Sequence, residues 1–499
     1  MTRLAACACA SRLAASRARA AACSARSSWS GALPPPPPAR PWIASPRRHA
    51  RSVGWGWRRC ATASRAAAAA AAASDPPLPK VLVIAGPTAV GKTALSLRLA
   101  AALDGEIVSA DSVQVFTGLD VGSSKLPESE RAGIPHHMLD LLDPSLEFGA
   151  GEYCDRAWAV MEDIVARGKT PVVVGGTGMY LRWLVEGKPP TPPSDPAAAA
   201  AARAAIDAVV ADAETEARAA AAASGADPEI AARAAGWRAA TRLLSDAGDA
   251  ESASKIAEND WYRVERALEI VTASGRPVGS FAPVAPPAFD FRCVMLTCPR
   301  VALYRRVDAR VEAMTRDGML EEAAGMLEAG IAPGGSPAAR SIGYRQAMEF
   351  LARRAEAPVG SACAHDELIE FLEETQRATR AFAKRQFTWF RGEPEGRYAW
   401  LDASAGTPED LKAATMAVFR EQRDADVPGD VPAGDDVAAL AFMRDATRGE
   451  TDAETSRVLK RYSAAQTVYD DPNGEASEKT RGVVDALAER LRGKLPKEA

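Results

Sequence analysis

The chain predicts an α/β fold, a parallel sheet flanked by helices, with a helical insertion and further helices toward the C-terminal end. Three observations carry this. The apolar run Val81–Ala85 leads directly into Gly86-Pro87-Thr88-Ala89-Val90-Gly91-Lys92-Thr93, which fits G-x-x-x-x-G-K-T. Further β-branched runs alternate with helical stretches, the order that produces parallel sheets. Between residues 196 and 260 the chain is Ala-rich and carries no strand signal.

The elements follow in order. Val81–Ala85 is a strand, the glycine-rich loop comes next, and a helix runs from Lys92 to about Leu103. Glu106–Ala110 is a second strand and Pro171–Val174 a third, followed by Gly175-Gly176-Thr177-Gly178 and a helix from Met179. Pro189–Pro196 is a boundary. Phe291–Leu296 returns as a strand, and helices follow from Val301 to Gly392. The expected divisions are a leader (1–74), the first part of the core (75–195), a helical insertion (196–260), the return to the core with basic helices (261–403), a linker (404–436), and a helical or disordered tail (437–499).

The leader contains no Asp, Glu or Lys but has 12 Arg among many Ala and Ser. Such a segment cannot build a balanced core and fits an organelle transit peptide; a disordered Ala/Pro-rich leader is the alternative. Its length and composition favour a plastid over a mitochondrion. Removing those 12 from 61 basic residues leaves 49 against 65 acids, a charge near −16. A body this acidic is not a general nucleic-acid binder, so any such contact needs a local basic patch. Cys154, Cys293, Cys298 and Cys363 form no C-x-x-C and no Cys/His cluster, which argues against disulfides and structural zinc. No apolar run of membrane-spanning length lies outside the Ala tract. A monomer is expected.

In the loop, glycines turn backbone N–H groups toward phosphate oxygens at a helix N-terminus. Lys92 adds a point charge and Thr93 a hydroxyl for Mg²⁺. This makes the sheet P-loop NTPase-like and specifies a diphosphate, without specifying which. No apolar strand ends in an Asp that leads to D-x-x-G, so a nucleotide hydrolase is not indicated. Asp111 sits at the carboxyl end of the second strand, expected beside the phosphate loop, where a carboxylate binds metal or accepts a proton; a helix N-cap is the alternative. Ser112 and Gln114 could serve a base edge or be ordinary loop residues.

GPTAVGKT, DSVQVFTGLDVGSSK, PHHMLDLLDP, VVVGGTGMYLRWLVEG, NDWYRVERALEI, SIGYRQAMEF and QRATRAFAKRQFTWFR occur in this order over about 80–403. Together they resemble the tRNA dimethylallyltransferase (isopentenyltransferase) family. The resemblance implies transfer of a dimethylallyl group from dimethylallyl diphosphate to N6 of the adenosine at tRNA position 37, beside the anticodon, with pyrophosphate leaving. It implies that Asp111 takes the amine proton. Gly86, Pro87, Thr88, Ala89, Val90, Gly91, Lys92 and Thr93 would hold the diphosphate with Mg²⁺, and Arg266 would steady the charge. Thr177 would lie near the reactive centre, with a helix N-cap as its plainer reading. Arg263 and Arg266 could equally form a solvated helix face. His136-His137 suggest a metal at first sight, but a structural role is favoured.

The resemblance places tRNA against Asp111, Ser112, Val113, Gln114, Thr177, Arg263, Arg266, Arg340, Tyr344 and Arg345. The acid-free stretch Gln376–Arg391 sets Arg377, Arg380 and Lys384 three and four residues apart, on one helix face suited to phosphates. No Cys follows Cys363, so the zinc finger of many eukaryotic relatives is missing, and alanines near Ala199 replace an Arg that some members carry, leaving Arg203 as a substitute. The competing readings are an adenylate isopentenyltransferase that makes cytokinin from free adenine nucleotide, a small-molecule kinase binding ATP, and a non-catalytic RNA-binding relative.

Overall fold

Among the described residues six strands form one sheet in the order β3-β2-β4-β1-β5-β6, every pairing parallel. This computed structural model describes residues 77–284, 289–421, 457–459, 461–464 and 466–495. The arginine-rich leader lies outside them, as do 422–456 of the expected linker and tail.

The chain runs β1 (Lys80–Ala85), α1 (Lys92–Ala102), β2 (Gly105–Ala110), β3 (His136–His137), α2 (Ala150–Ala166), β4 (Thr170–Gly175) and α3 (Gly178–Glu186). A helical block follows: α4 (Pro196–Ser224), α5 (Pro228–Asp246), α6 (Ala250–Lys255) and α7 (Trp261–Ser274). The sheet resumes with β5 (Asp290–Thr297). Then come α8 (Arg300–Asp317), α9 (Met319–Glu328), α10 (Pro337–Arg340), α11 (Tyr344–Glu356) and α12 (His365–Arg391). The last elements are β6 (Ala399–Asp402), α13 (Pro408–Arg420) and α14 (Glu475–Leu491).

β1 is a continuous apolar run because neighbouring strands and helices on both faces bury it from Val81 to Ala85. The order of the sheet corrects one expectation: β4 lies between β1 and β2, so Asp111 leaves a strand next but one to the phosphate loop. What brings them together is register. Ala85 pairs with Gly175 and Gly175 with Ala110, so the loops after β1, β4 and β2 emerge level with one another. Gly175 permits this approach, since a Cβ there would sit 2.1 Å from the Ala110 carbonyl oxygen.

His136-His137 form a two-residue edge strand; His137 Nε2 lies 2.7 Å from Glu106 Oε2, and Arg167 holds the same carboxylate. Arg167 and His137 hold Glu106 down at about 2 against the opposing effect of burial. This is a structural pairing, and among the described residues no cluster of three or more His, Cys, Asp or Glu could hold a metal. Val264, Ala267, Leu268 and Val271 of α7 share a core with Ala202, Ile206, Ala240 and Leu244, so the helical insertion packs as one body past residue 260. Part of the expected linker is ordered structure. Thr407 caps α13 through Asp410, and Met416 and Phe419 enter the sheet's core. The tail contributes α14, whose Val484, Leu487 and Leu491 are buried in a second core with α9, α11 and α12. No helix among the described residues is long and apolar enough to cross a membrane.

Candidate active site

The ends of β1, β2 and β4 open on one cavity of about 410 Å³, closed from above by α8, α10 and α12. Its lining includes Thr88, Asp111, Thr177, Arg310, Phe382 and Gln386.

The phosphate loop is built as its glycines require. Gly86 has φ +158° and packs tightly, its missing Cβ within 3.1 Å of the Leu296 carbonyl oxygen, and Gly91 has φ +110° at the helix start. Lys92 curls over the loop, its Nζ donating to the carbonyl oxygens of Gly86 (2.9 Å) and Pro87 (2.8 Å). Burial, then the nearby Arg310 guanidinium, hold its amine down at about 8, while Asp111 pulls upward. Thr93 is exposed in the first turn of α1. Ala89 adopts φ +62° in the turn between Pro87 and Val90.

Asp111 begins the loop after β2. Its Oδ1 accepts from Val113 N at 2.9 Å and from Gln114 N at 3.4 Å, fixing the carboxylate at the cavity wall. Thr177 occupies the N-cap position of α3, yet its hydroxyl accepts from Ser112 N (3.1 Å) and makes no cap bond. It ties the loop after β4 to the loop carrying Asp111. Val113 lines the cavity. Gln114 turns inward: its Oε1 accepts from Ser109 Oγ (2.9 Å) and its Nε2 donates to the Ser123 carbonyl (3.2 Å), which leaves its amide engaged within the fold.

Two residues that the sequence reading missed complete the site. Gln386 of α12 accepts from Thr88 N (3.0 Å) and donates to the Gly176 carbonyl (2.9 Å), joining the phosphate loop to the glycine loop after β4. Arg310 of α8 faces the cavity, close enough to Lys92 to weaken its hold on a proton and close enough to Asp111 to feel that carboxylate's charge. Burial holds its guanidinium below the usual range, with Asp111 opposing. Among the described residues it makes no ion pair.

The other expected residues divide. Arg340 lines the cavity and stands 3.3 Å from Glu147, while Arg345, Arg377 and Lys384 are exposed. Arg385 joins the lining. Arg263 is exposed and paired with Asp260 at 3.3 Å. Arg203 is paired with Glu265. Three expectations need correction. Arg266 is not at the cavity: it pairs with Glu269 at 2.6 Å and donates to the Pro192 carbonyl, bracing the base of the insertion. Tyr344 is wholly buried, its hydroxyl donating to Glu322 at 2.5 Å, so no ring is offered to a base. Glu322 in turn accepts from the N–H groups of Asp120, Val121 and Gly122. Arg380 is half-buried against Asp308, off the exposed face that Arg377 and Lys384 share.

Comparison with known proteins adds to this geometry. A sequence profile of the family described as IPP transferase matches residues 114–393. The chain is similar to "tRNA dimethylallyltransferase 9" of Arabidopsis thaliana, 40% identical over 393 residues covering 72% of this chain and 79% of that protein. It is similar to "tRNA dimethylallyltransferase" of Stenotrophomonas maltophilia, 37% identical over 334 residues covering 65% of this chain and 92% of that one. Its fold is similar to a solved eukaryotic dimethylallyltransferase described as acting on tRNA, with TM-score 0.50 and 23% identity over 77% of this chain and 99% of that one.

Proposed function

The chain belongs to the IPP transferase family and is an enzyme that transfers a prenyl group to tRNA, and we propose the following chemistry for its cavity. The donor is dimethylallyl diphosphate and the acceptor is N6 of the adenosine at tRNA position 37. The observation that carries this reading is the placement of Asp111 on the wall of a cavity that also receives the phosphate loop and Arg310. A base and a cation meet there, with Lys92 in the adjoining loop, which is what displacement of a diphosphate by an amine requires.

The target adenine leaves its stack and enters the cavity. Its exocyclic nitrogen is a poor nucleophile, because its lone pair is shared with the ring. Asp111 accepts the N6 proton as nitrogen attacks C1 of the allyl group. The C1–O bond breaks, and its electron pair passes to the diphosphate oxygen. Lys92, Arg310 and the loop N–H groups face the charge that develops on that oxygen. Thr177 and Gln386 keep the three loops in register while this happens.

A divalent cation suits the donor set, because the Thr93 hydroxyl is exposed beside the loop where diphosphate oxygens would complete an oxygen shell. Magnesium held there would supply charge neutralisation to the leaving group. Exposed Arg377, Lys384 and Arg345, with Arg340 and Arg385 at the cavity, form the basic surface for the anticodon stem-loop. Free adenine nucleotide as acceptor and phosphoryl transfer are not favoured, since neither calls for this surface and the matched relatives carry tRNA in their names. The arginine-rich leader is read as a transit peptide to an organelle.

The test offers the protein dimethylallyl diphosphate with unmodified tRNA, AMP and ATP in separate reactions. Prenylation of tRNA alone is expected. Prenylation of AMP with tRNA untouched would reverse the assignment.

A further inference from the structure

The C-terminal segment comes back to the cavity's own walls. Tyr462 donates to Asp308 Oδ2 of α8 at 2.7 Å. Its ring stands 5.3 Å from the Arg380 guanidinium and edge-on to Tyr304 at 5.5 Å. Gln466 exchanges two hydrogen bonds with Gln376 of α12, both 3.1 Å. Glu312 of α8 is fully buried and accepts from Thr467 N (3.0 Å), Thr467 Oγ1 (3.0 Å) and Val468 N (2.7 Å). Beyond these, Tyr469 and α14 are anchored in the second core, and Asp485 accepts from Cys363 N at 2.8 Å.

Helix geometry links these contacts to the site. At about 100° per residue, Val307, Arg310, Val311 and Met314 form the stripe of α8 that lines the cavity. Asp308, Glu312 and Thr315 form a second stripe roughly 120° around the same helix. The segment grips that second stripe. Glu312 has no cationic partner among the described residues, so its burial depends on donors from residues 467 and 468. Without them the carboxylate is a buried, unsatisfied group, which a turn of α8 toward water relieves, and a turn of α8 shifts Arg310 relative to Asp111 because both stripes lie on one rigid helix.

We propose that residues 462–464 and 466–495 are a clasp that sets the rotation of α8 and so holds Arg310 in place over the reacting groups, with Glu312, Tyr462 and Gln466 as positioning residues. The proposal rests on the reading of Arg310 as a diphosphate-facing cation. It gives the tail a role in the reaction, and it explains why Arg380 is drawn off the RNA-facing surface.

The test is a double-mutant cycle in the full chain. Tyr462→Phe with Gln466→Leu removes the contacts to Asp308 and Gln376, leaves the backbone donors to Glu312, and keeps ring and packing volume, and a thermal melt verifies the fold. Single-turnover rates at saturating dimethylallyl diphosphate and tRNA should fall roughly tenfold, a part of the ~10²-fold that a 1 Å misplacement can cost. The tRNA Kd should stay within about twofold, since the substitutions leave the exposed cations in place. In an Arg310→Ala background the same pair should slow the reaction no further. An equal drop in both backgrounds, or a loss residing in tRNA affinity, overturns the clasp. An Arg310→Ala protein with undiminished rate removes the reading of the site itself, and the clasp with it.

Discussion

Lys92 offers a quantitative test of the site, because its proton reports what enters the loop. Burial and Arg310 hold its amine at about 8. A diphosphate lodged in the loop brings negative charge into contact and restores the ordinary value of 10.5. At pH 8 half of the amines are neutral, so binding must take up roughly 0.5 proton per ligand. Returning the amine to its ordinary value is worth at most about 3 kcal/mol to diphosphate binding, an upper limit because solvent at the loop mouth screens the charges. Affinity therefore falls as pH rises from 8 to 10.5, by at most ~300-fold. Folding stability has the opposite sign. The unfolded chain keeps this proton through the window while the native chain has released it, so without a diphosphate the protein gains stability as pH rises from 8 to 10.5. Titration calorimetry of a non-cleavable allylic diphosphate at pH 8, in two buffers of different protonation enthalpy, measures the uptake. Lys92→Arg stays charged and isolates the ligand's own titration. Equal proton uptake by the two proteins would refute the account of Lys92.

Asp111→Asn keeps the side chain's size and its accepting oxygen, so single-turnover prenylation should fall by ~10²–10⁴ while tRNA affinity, measured by filter binding, stays nearly constant; a loss confined to affinity would make Asp111 an RNA-positioning group. Gln386→Leu unpairs Thr88 N–H and the Gly176 carbonyl, and should cost about 1–3 kcal/mol in chemical denaturation together with a raised KM for the diphosphate; a stability loss with unchanged KM would dissociate α12 from the loop's geometry. Tyr344→Phe removes one buried donor to Glu322, and should lower stability by about 1 kcal/mol without altering tRNA Kd; weaker tRNA binding at unchanged stability would restore Tyr344 to the RNA surface.

The phosphate loop and the strands around it were legible because buried parallel strands read as unbroken apolar runs and a glycine-rich turn has few other uses. Proximity was legible only in part: Asp111 could be assigned to a strand end, but the interposed β4 and the Ala85–Gly175–Ala110 register come from pairings far apart in the chain. Arg310 was hidden beside Arg305 and Arg306, exposed cations on the same helix. Its one distinguishing mark is its spacing with Val307 and Val311, which turns it inward. Arg266, Tyr344 and Arg380 were misplaced for a shared reason. Their partners Glu269, Glu322 and Asp308 decide their direction, and of these only Glu269 is near in sequence. The stretch after residue 404 read as linker because Asp, Pro and Gly dominate it, although Thr407, Asp410, Met416 and Phe419 already carried the cap and the apolar face of α13.

The position of β5 beside β1 has a consequence for how the chain is made. Lys80 pairs with Asp290, so one edge of the most apolar strand waits for a partner about 200 residues away. At a synthesis rate of 5–20 residues per second that interval lasts roughly 10–40 s. Once Thr170–Gly175 has emerged, β4 can cover one side of Val81–Ala85, while the other presents unpaired N–H and C=O groups to whatever is nearby. The insertion emerging in the meantime is helical and makes mostly local contacts, so it can fold without the sheet. The nascent protein thus carries a finished helical body beside an unfinished sheet until β5 leaves the ribosome.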